Sequence, residues 1–159
     1  LVEGEELEEI KRYWRERFGV PEEAWQGLIL WERARTYRVL SFDPRGDQAI
    51  TSLKVITVGI PFLRMTGRTL KPTTASLRLM SQWISRNRLL LDESQVQDLL
   101  SKGEIPWGSP SQKPGYVLLE SEAGVLGCGL LKPHRLICQI PKTDLQSLDL
   151  ENLNHSYGQ

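Results

Sequence analysis

GYVLLESEAGVLGCGLLKPHRLICQIPK, residues 115–142, alternates apolar and other side chains in three successive runs. Val117 and Leu119 mark the first run, Leu126, Cys128 and Leu130 the second, and Leu136, Cys138 and Ile140 the third. Turn residues separate them at Glu122-Ala123-Gly124 and at Lys132-Pro133-His134-Arg135. A period of two broken by such turns predicts a three-stranded antiparallel meander. Gly127 and Gly129 flank Cys128, and paired glycines inside a strand mark a bend or a close backbone approach. A small barrel needs bends of that kind to close. With the second turn centred near Pro133, Cys128 and Cys138 fall almost opposite each other. They would then share one apolar face with Leu126, Leu130, Leu136 and Ile140.

These residues also carry a resemblance. GYVLLE, LGCGLL and RLICQIPK are similar to the closing strands of PUA domains, small β-barrels that bind structured RNA. In particular they resemble the PUA-like domain at the C-terminus of RNA (cytosine-5) methyltransferases, with its G-Y-V, L-G-x-G, short basic turn and I-P-K. RNRLLLDESQVQDLLSKGEI (residues 86–105) is similar to the strand and helix that open that fold. YWRERFGVPEEAW (13–25), VGI (58–60) and LKPTTASLRLM (70–80) look like the small α/β domain that precedes PUA in some of these enzymes. A similar domain occurs in a family of large-subunit ribosome assembly factors. The resemblance covers most of residues 11–142. The stretch between Gly103 and Gly115 departs from it: where PUA domains often carry a tight glycine-rich RNA-facing loop, this one is longer and proline-rich.

The resemblance implies an α+β protein: a small N-terminal α/β domain over 1–87, a PUA-like β-barrel over 88–145, and a polar tail over 146–159. It implies a non-catalytic module that binds tRNA or rRNA and positions an RNA-modifying methyltransferase domain, in the same chain or another. The alternative is a protein-interaction module in ribosome assembly without RNA contact. On the RNA reading, the contacts fall to Arg86, Arg88, Trp107, Lys113, Lys132, His134, Arg135 and Lys142.

At 159 residues the chain can hold one domain or two small ones. Hydrophobic residues at 40% and charged residues at 25% fit an ordinary folded protein. No apolar run approaches the roughly 18 residues of a membrane-spanning helix. The acidic N-terminus does not read as a signal peptide, so a cytoplasmic protein with no membrane partner is expected. The chain opens on Leu1 rather than Met, which raises the expectation of a fragment.

Net charge is zero, yet the charges are sorted. Residues 1–47 hold eleven of the twenty acids. From Gln48 to Leu91 there are none, against Lys54, Arg64, Arg68, Lys71, Arg78, Arg86 and Arg88. Ala123 to Thr143 is also acid-free and carries Lys132, His134, Arg135 and Lys142. A positive face beside a negative one suits a phosphate binder; solvated side chains on separate surfaces would give the same composition.

Leu7, Ile10, Trp14 and Phe18 recur at helical spacing, with Glu5, Glu6, Glu8 and Glu9 ahead of Lys11, Arg12, Arg15 and Arg17. Gly19 should end that helix, and Pro21 should open a short one through Trp25. Strands are expected over Leu28–Trp31, Tyr37–Phe42 and Leu53–Val58, with turns at Asp43–Gly46 and Met65–Arg68. After Pro72, Leu77, Met80 and Ile84 form a helical face. Leu89–Leu91 reads as a strand, and Asp92 with Gln95 as a capping box for a helix bearing Val96, Leu99 and Leu100, closed by Gly103. Glu104–Pro114 reads as a loop.

Catalytic chemistry is not legible. No glycine-rich loop follows a strand as a methyl-donor or nucleotide site needs. The resembled methyltransferases use a cysteine after Pro or Thr; Cys128 and Cys138 have neither setting. The histidines, His134 and His155, sit in a turn and in the tail, so neither a hydrolytic constellation nor a metal site is expected, and no cofactor. The two thiols read as small buried hydrophobes. Trp14 and Trp83 read as core, and Trp25 and Trp31 as candidates for it. Trp107, in a polar loop, either stacks on a base or folds back as a lid on the barrel end.

Overall fold

The apolar stripe Ile10, Trp14 and Phe18 is buried along one face of helix α1, Gly4–Phe18. Gly19 ends the helix in the left-handed region, at φ 69°, where a side chain is strained. Pro21 then leads into a 3₁₀ turn, Glu22–Trp25. This is a computed structural model, and it describes residues 1–40, 59–108 and 112–145. The expected strand end at Phe42, the turn Asp43–Gly46, the strand Leu53–Val58 and the 146–159 tail lie outside the described residues.

The protein is α+β and divides into two compact units, Leu1–Arg88 and Leu89–Gln159. In the first, β1 (Ile29–Arg33), β2 (Thr36–Leu40), β3 (Ile60–Thr66) and β4 (Thr69–Pro72) form a sheet in sequence order, each pair antiparallel. β3 and β4 flank the expected turn near Gly67; the sequence had marked the turn without the strands. A bulge at Tyr37/Arg38 leaves Phe62 outside the paired register. Phe62 is fully buried, with its ring 4.9 Å from that of Trp14. Trp25 closes the cluster edge-on to both rings, at 6.4 and 5.6 Å. Helix α1 covers this face of the sheet: Tyr37 donates to Glu6 Oε1 at 2.7 Å.

Helix α2, Thr74–Met80, begins with a Thr73/Ser76 capping box and buries Leu77 and Met80. It is shorter than the Leu77–Met80–Ile84 spacing suggested. The last turn tightens into a 3₁₀ turn, Ser81–Trp83, before Ile84.

The second unit begins within β5 (Arg88–Leu90) and holds helix α3 (Glu93–Lys102), β6 (Glu104–Pro106), β7 (Gly115–Ser121), β8 (Gly124–Lys132) and β9 (Arg135–Cys138). The Asp92/Gln95 capping box opens α3 and Gly103 closes it. β7, β8 and β9 form the antiparallel meander. The sheet order is β5-β7-β8-β9-β6. β5 and β6 are therefore edges, and no pairing joins them among the described residues, so a closed barrel is not shown. β6 falls where a loop was expected. It has three residues, too few to display a period, and its Pro106 is tolerated because the strand is an edge.

The register corrects one expectation. Lys132 pairs with Arg135, so the turn is the two residues Pro133-His134 and its centre lies half a residue beyond Pro133. Cys138 consequently faces Gly129, while Cys128 accepts from the Gln139 N–H. A shift of one residue exchanges the faces of a strand. The two cysteines thus lie on opposite faces, and they are not joined in a disulfide. Cys138 borders the core of Val117, Leu119, Leu131, Leu136 and Ile140. Cys128 is buried on the other face beside Leu118 and Tyr116. Gly129 sits on the core face because Leu119 fills the space above it: a Cβ there would lie 2.9 Å from the Leu119 side chain.

Candidate nucleic-acid interface

β6 and β9 run antiparallel, and the ladder continues past Pro106: the Trp107 N–H donates to the His134 carbonyl at 3.1 Å. Gly115, where β7 begins, pairs with Leu131. The chain segment 107–114 therefore leaves and re-enters the sheet at the tip of the β8–β9 hairpin. Topology alone brings Trp107, Lys113, Lys132, His134 and Arg135 to one end of the second unit.

Their side chains are not equally available. Lys132 and His134 are exposed at the turn, and Lys113 is exposed beside it. Arg135 Nη1 lies 3.2 Å from Glu104 Oε2, with both side chains about half exposed, at 55% and 51%. A pair so open to water is screened and contributes about 0–1 kcal/mol. An incoming phosphate can compete for Arg135. Trp107 is half-buried against the core cluster, and its Nε1 donates to Gln112 Oε1 at 3.0 Å. This is the lid arrangement, with the indole edge already bonded. Sequence reading missed both Glu104 and Gln112, since neither short-range spacing nor charge runs reveal a partner across strands.

The remaining candidates lie elsewhere. Lys142 is exposed but follows β9 at the end opposite the hairpin tip. Arg86 and Arg88 belong to the first unit. Arg86 is exposed and donates to the Glu16 carbonyl at 3.3 Å. Arg88 is half-buried, and its Nη1 donates to the carbonyls of Ser81 and Ile84, both at 2.7 Å. Those bonds close the end of the 3₁₀ turn, so Arg88 is a fold-holding residue first.

Burial raises the Cys138 thiol above its ordinary range. That opposes thiolate formation and hence nucleophilic use. Among the described residues, no three His, Cys, Asp or Glu side chains gather as a metal site would need. Among them too, no helix is long and apolar enough to cross a membrane.

No protein-family model and no curated protein matches the sequence. Among solved structures, the chain is similar to the crystal structure of a hypothetical protein from the hyperthermophilic archaeon Pyrococcus horikoshii. The TM-score is 0.45 at 16% identity, over 78% of this chain and 75% of that one.

Proposed function

We propose that this chain is a non-catalytic RNA-binding module with a PUA-like second unit that docks on structured tRNA or rRNA and positions an RNA-modifying methyltransferase. One observation carries the reading. The two-residue turn of the β8–β9 hairpin projects Lys132 and His134, with Arg135 beside them, from the end of the sheet where segment 107–114 also emerges. Cations held on a short, rigid hairpin suit phosphate and shape contacts to a folded RNA. Trp107 supports this end of the sheet from below rather than offering its face to a base.

The test uses the full chain and labelled tRNA and rRNA fragments. Lys132→Glu with Arg135→Glu removes about two phosphate contacts. The affinity should fall, and the slope of log K against log salt should flatten by about 1.8. Wild-type affinity in the double variant at low salt would remove the hairpin tip from the interface.

One observation favours the alternative, a protein-interaction module. Leu90 is 63% exposed on β5, an edge strand with no partner on its outer side among the described residues. Leu90→Lys should leave RNA affinity unchanged on the first reading and abolish partner capture on the second.

A further inference from the structure

The first sheet sorts charge between its two faces. Residues directly opposite on antiparallel strands point to the same side. Arg33 pairs with Thr36, Thr36 with Arg64, and Arg64 with Lys71. A single row therefore crosses all four strands, with cations on β1, β3 and β4, over about 14 Å at the usual strand spacing. The neighbouring row on β1 and β2 pairs Trp31 with Arg38. Trp31 is two residues from Arg33, and Arg38 two from Thr36, so all share this face. Arg33 and Arg64 are exposed; Trp31, Arg38 and Lys71 are half-buried.

The opposite face has the opposite character. It holds buried Leu30, Tyr37, Val39 and Leu63 and is covered by α1. The acids near it raise the Tyr37 hydroxyl: besides burial, Glu6 acts by hydrogen bond and charge, with Glu32 and Glu9 behind. The acid-rich N-terminal sequence is thus placed behind the sheet. The cations face away from it.

We infer that this outer face is a second RNA site, one that takes a single strand. The row of Arg33, Arg64 and Lys71 follows the phosphates across the strands, and Trp31 with the Arg38 guanidinium gives bases a flat apolar and cationic surface. A positive groove with an aromatic platform is what a sequence-tolerant single-strand site requires. The complementarity is to a polyanion carrying π-faces. An anionic membrane would need exposed apolar side chains to insert into lipid; the row has none, and Trp31 is half-buried. The site is built entirely from the first unit and does not depend on the hairpin-tip reading.

The test measures binding of the full chain to a fluorescent oligouridylate of about ten nucleotides, with the tRNA and rRNA fragments in parallel. Arg64→Glu with Lys71→Glu should weaken oligouridylate binding at least tenfold and flatten its salt slope by about 1.4, the value for two contacts on a single strand. Trp31→Ala should weaken it about tenfold, while Trp31→Phe keeps most of the affinity. Oligouridylate should also quench wild-type tryptophan fluorescence and not that of Trp31→Phe to the same extent. Lys132→Glu with Arg135→Glu should leave oligouridylate binding unchanged, which separates this site from the hairpin tip. Circular dichroism matched to wild type shows that each variant folds. Equal oligouridylate affinity in wild type and the Arg64/Lys71 double variant would overturn the inference. So would binding to phosphatidylserine vesicles with no binding to the oligonucleotide.

Discussion

Trp14 shows how much a single residue can decide. Its ring is wholly buried, 5.1 Å from that of Phe18 and 4.9 Å from that of Phe62. Trp14→Ala leaves a void between α1 and the sheet and should cost about 3–5 kcal/mol, measured by urea unfolding. Trp14 was legible in the sequence because helical spacing places it on the apolar stripe. Trp107 was legible only as a choice between base stacking and a lid, because its position depends on His134 and Gln112, partners that no local period reveals. Tyr37 offers a test by pH. Burial first, then Glu6, pushes its hydroxyl from 10.0 up to about 12. Between these values the unfolded chain loses a proton that the folded protein keeps. The stability Tyr37 confers is therefore complete below about pH 10 and is lost as pH rises through about 12. Burial also raises Tyr116, so tyrosinate absorbance should show a late-titrating component that shrinks, without vanishing, in Tyr37→Phe.

At the scale of elements, the β8–β9 hairpin depends on its turn. Apolar alternation identified the meander, but it did not fix whether one or two residues make the turn. That difference of half a residue placed the cysteines on opposite faces. β6 escaped notice for a related reason: three residues ending in Pro carry neither period nor propensity, and their order comes from pairing with β9. The paired glycines were legible as a close approach, and Gly129 is one. Gly129→Ala should cost about 1–3 kcal/mol through its contact with Leu119, read from the denaturation midpoint. The same ladder sets Glu104 against Arg135. Glu104→Gln releases that guanidinium, so RNA affinity should rise modestly with stability changed by less than about 1 kcal/mol. A fall in affinity would mean that Glu104 orients Arg135 rather than competes for it.

For the whole molecule, zero net charge conceals sorted charge. The sequence displayed the sorting as acid-free stretches but could not give it direction, because direction depends on strand register. In the first unit the register collects Arg33, Arg64 and Lys71 on one row, while the acids of α1 lie behind the sheet. Alternation over residues 115–142 pointed to the meander and the resemblance to a barrel, and the described strand order leaves that sheet open between β5 and β6. The central claim, that this chain binds RNA through its cations, is tested most directly by the affinity of the full chain for tRNA and rRNA fragments across a salt series. Three phosphate contacts predict a log–log slope of about −2.7. Binding that ignores salt, or no binding at the lowest salt, would contradict the claim.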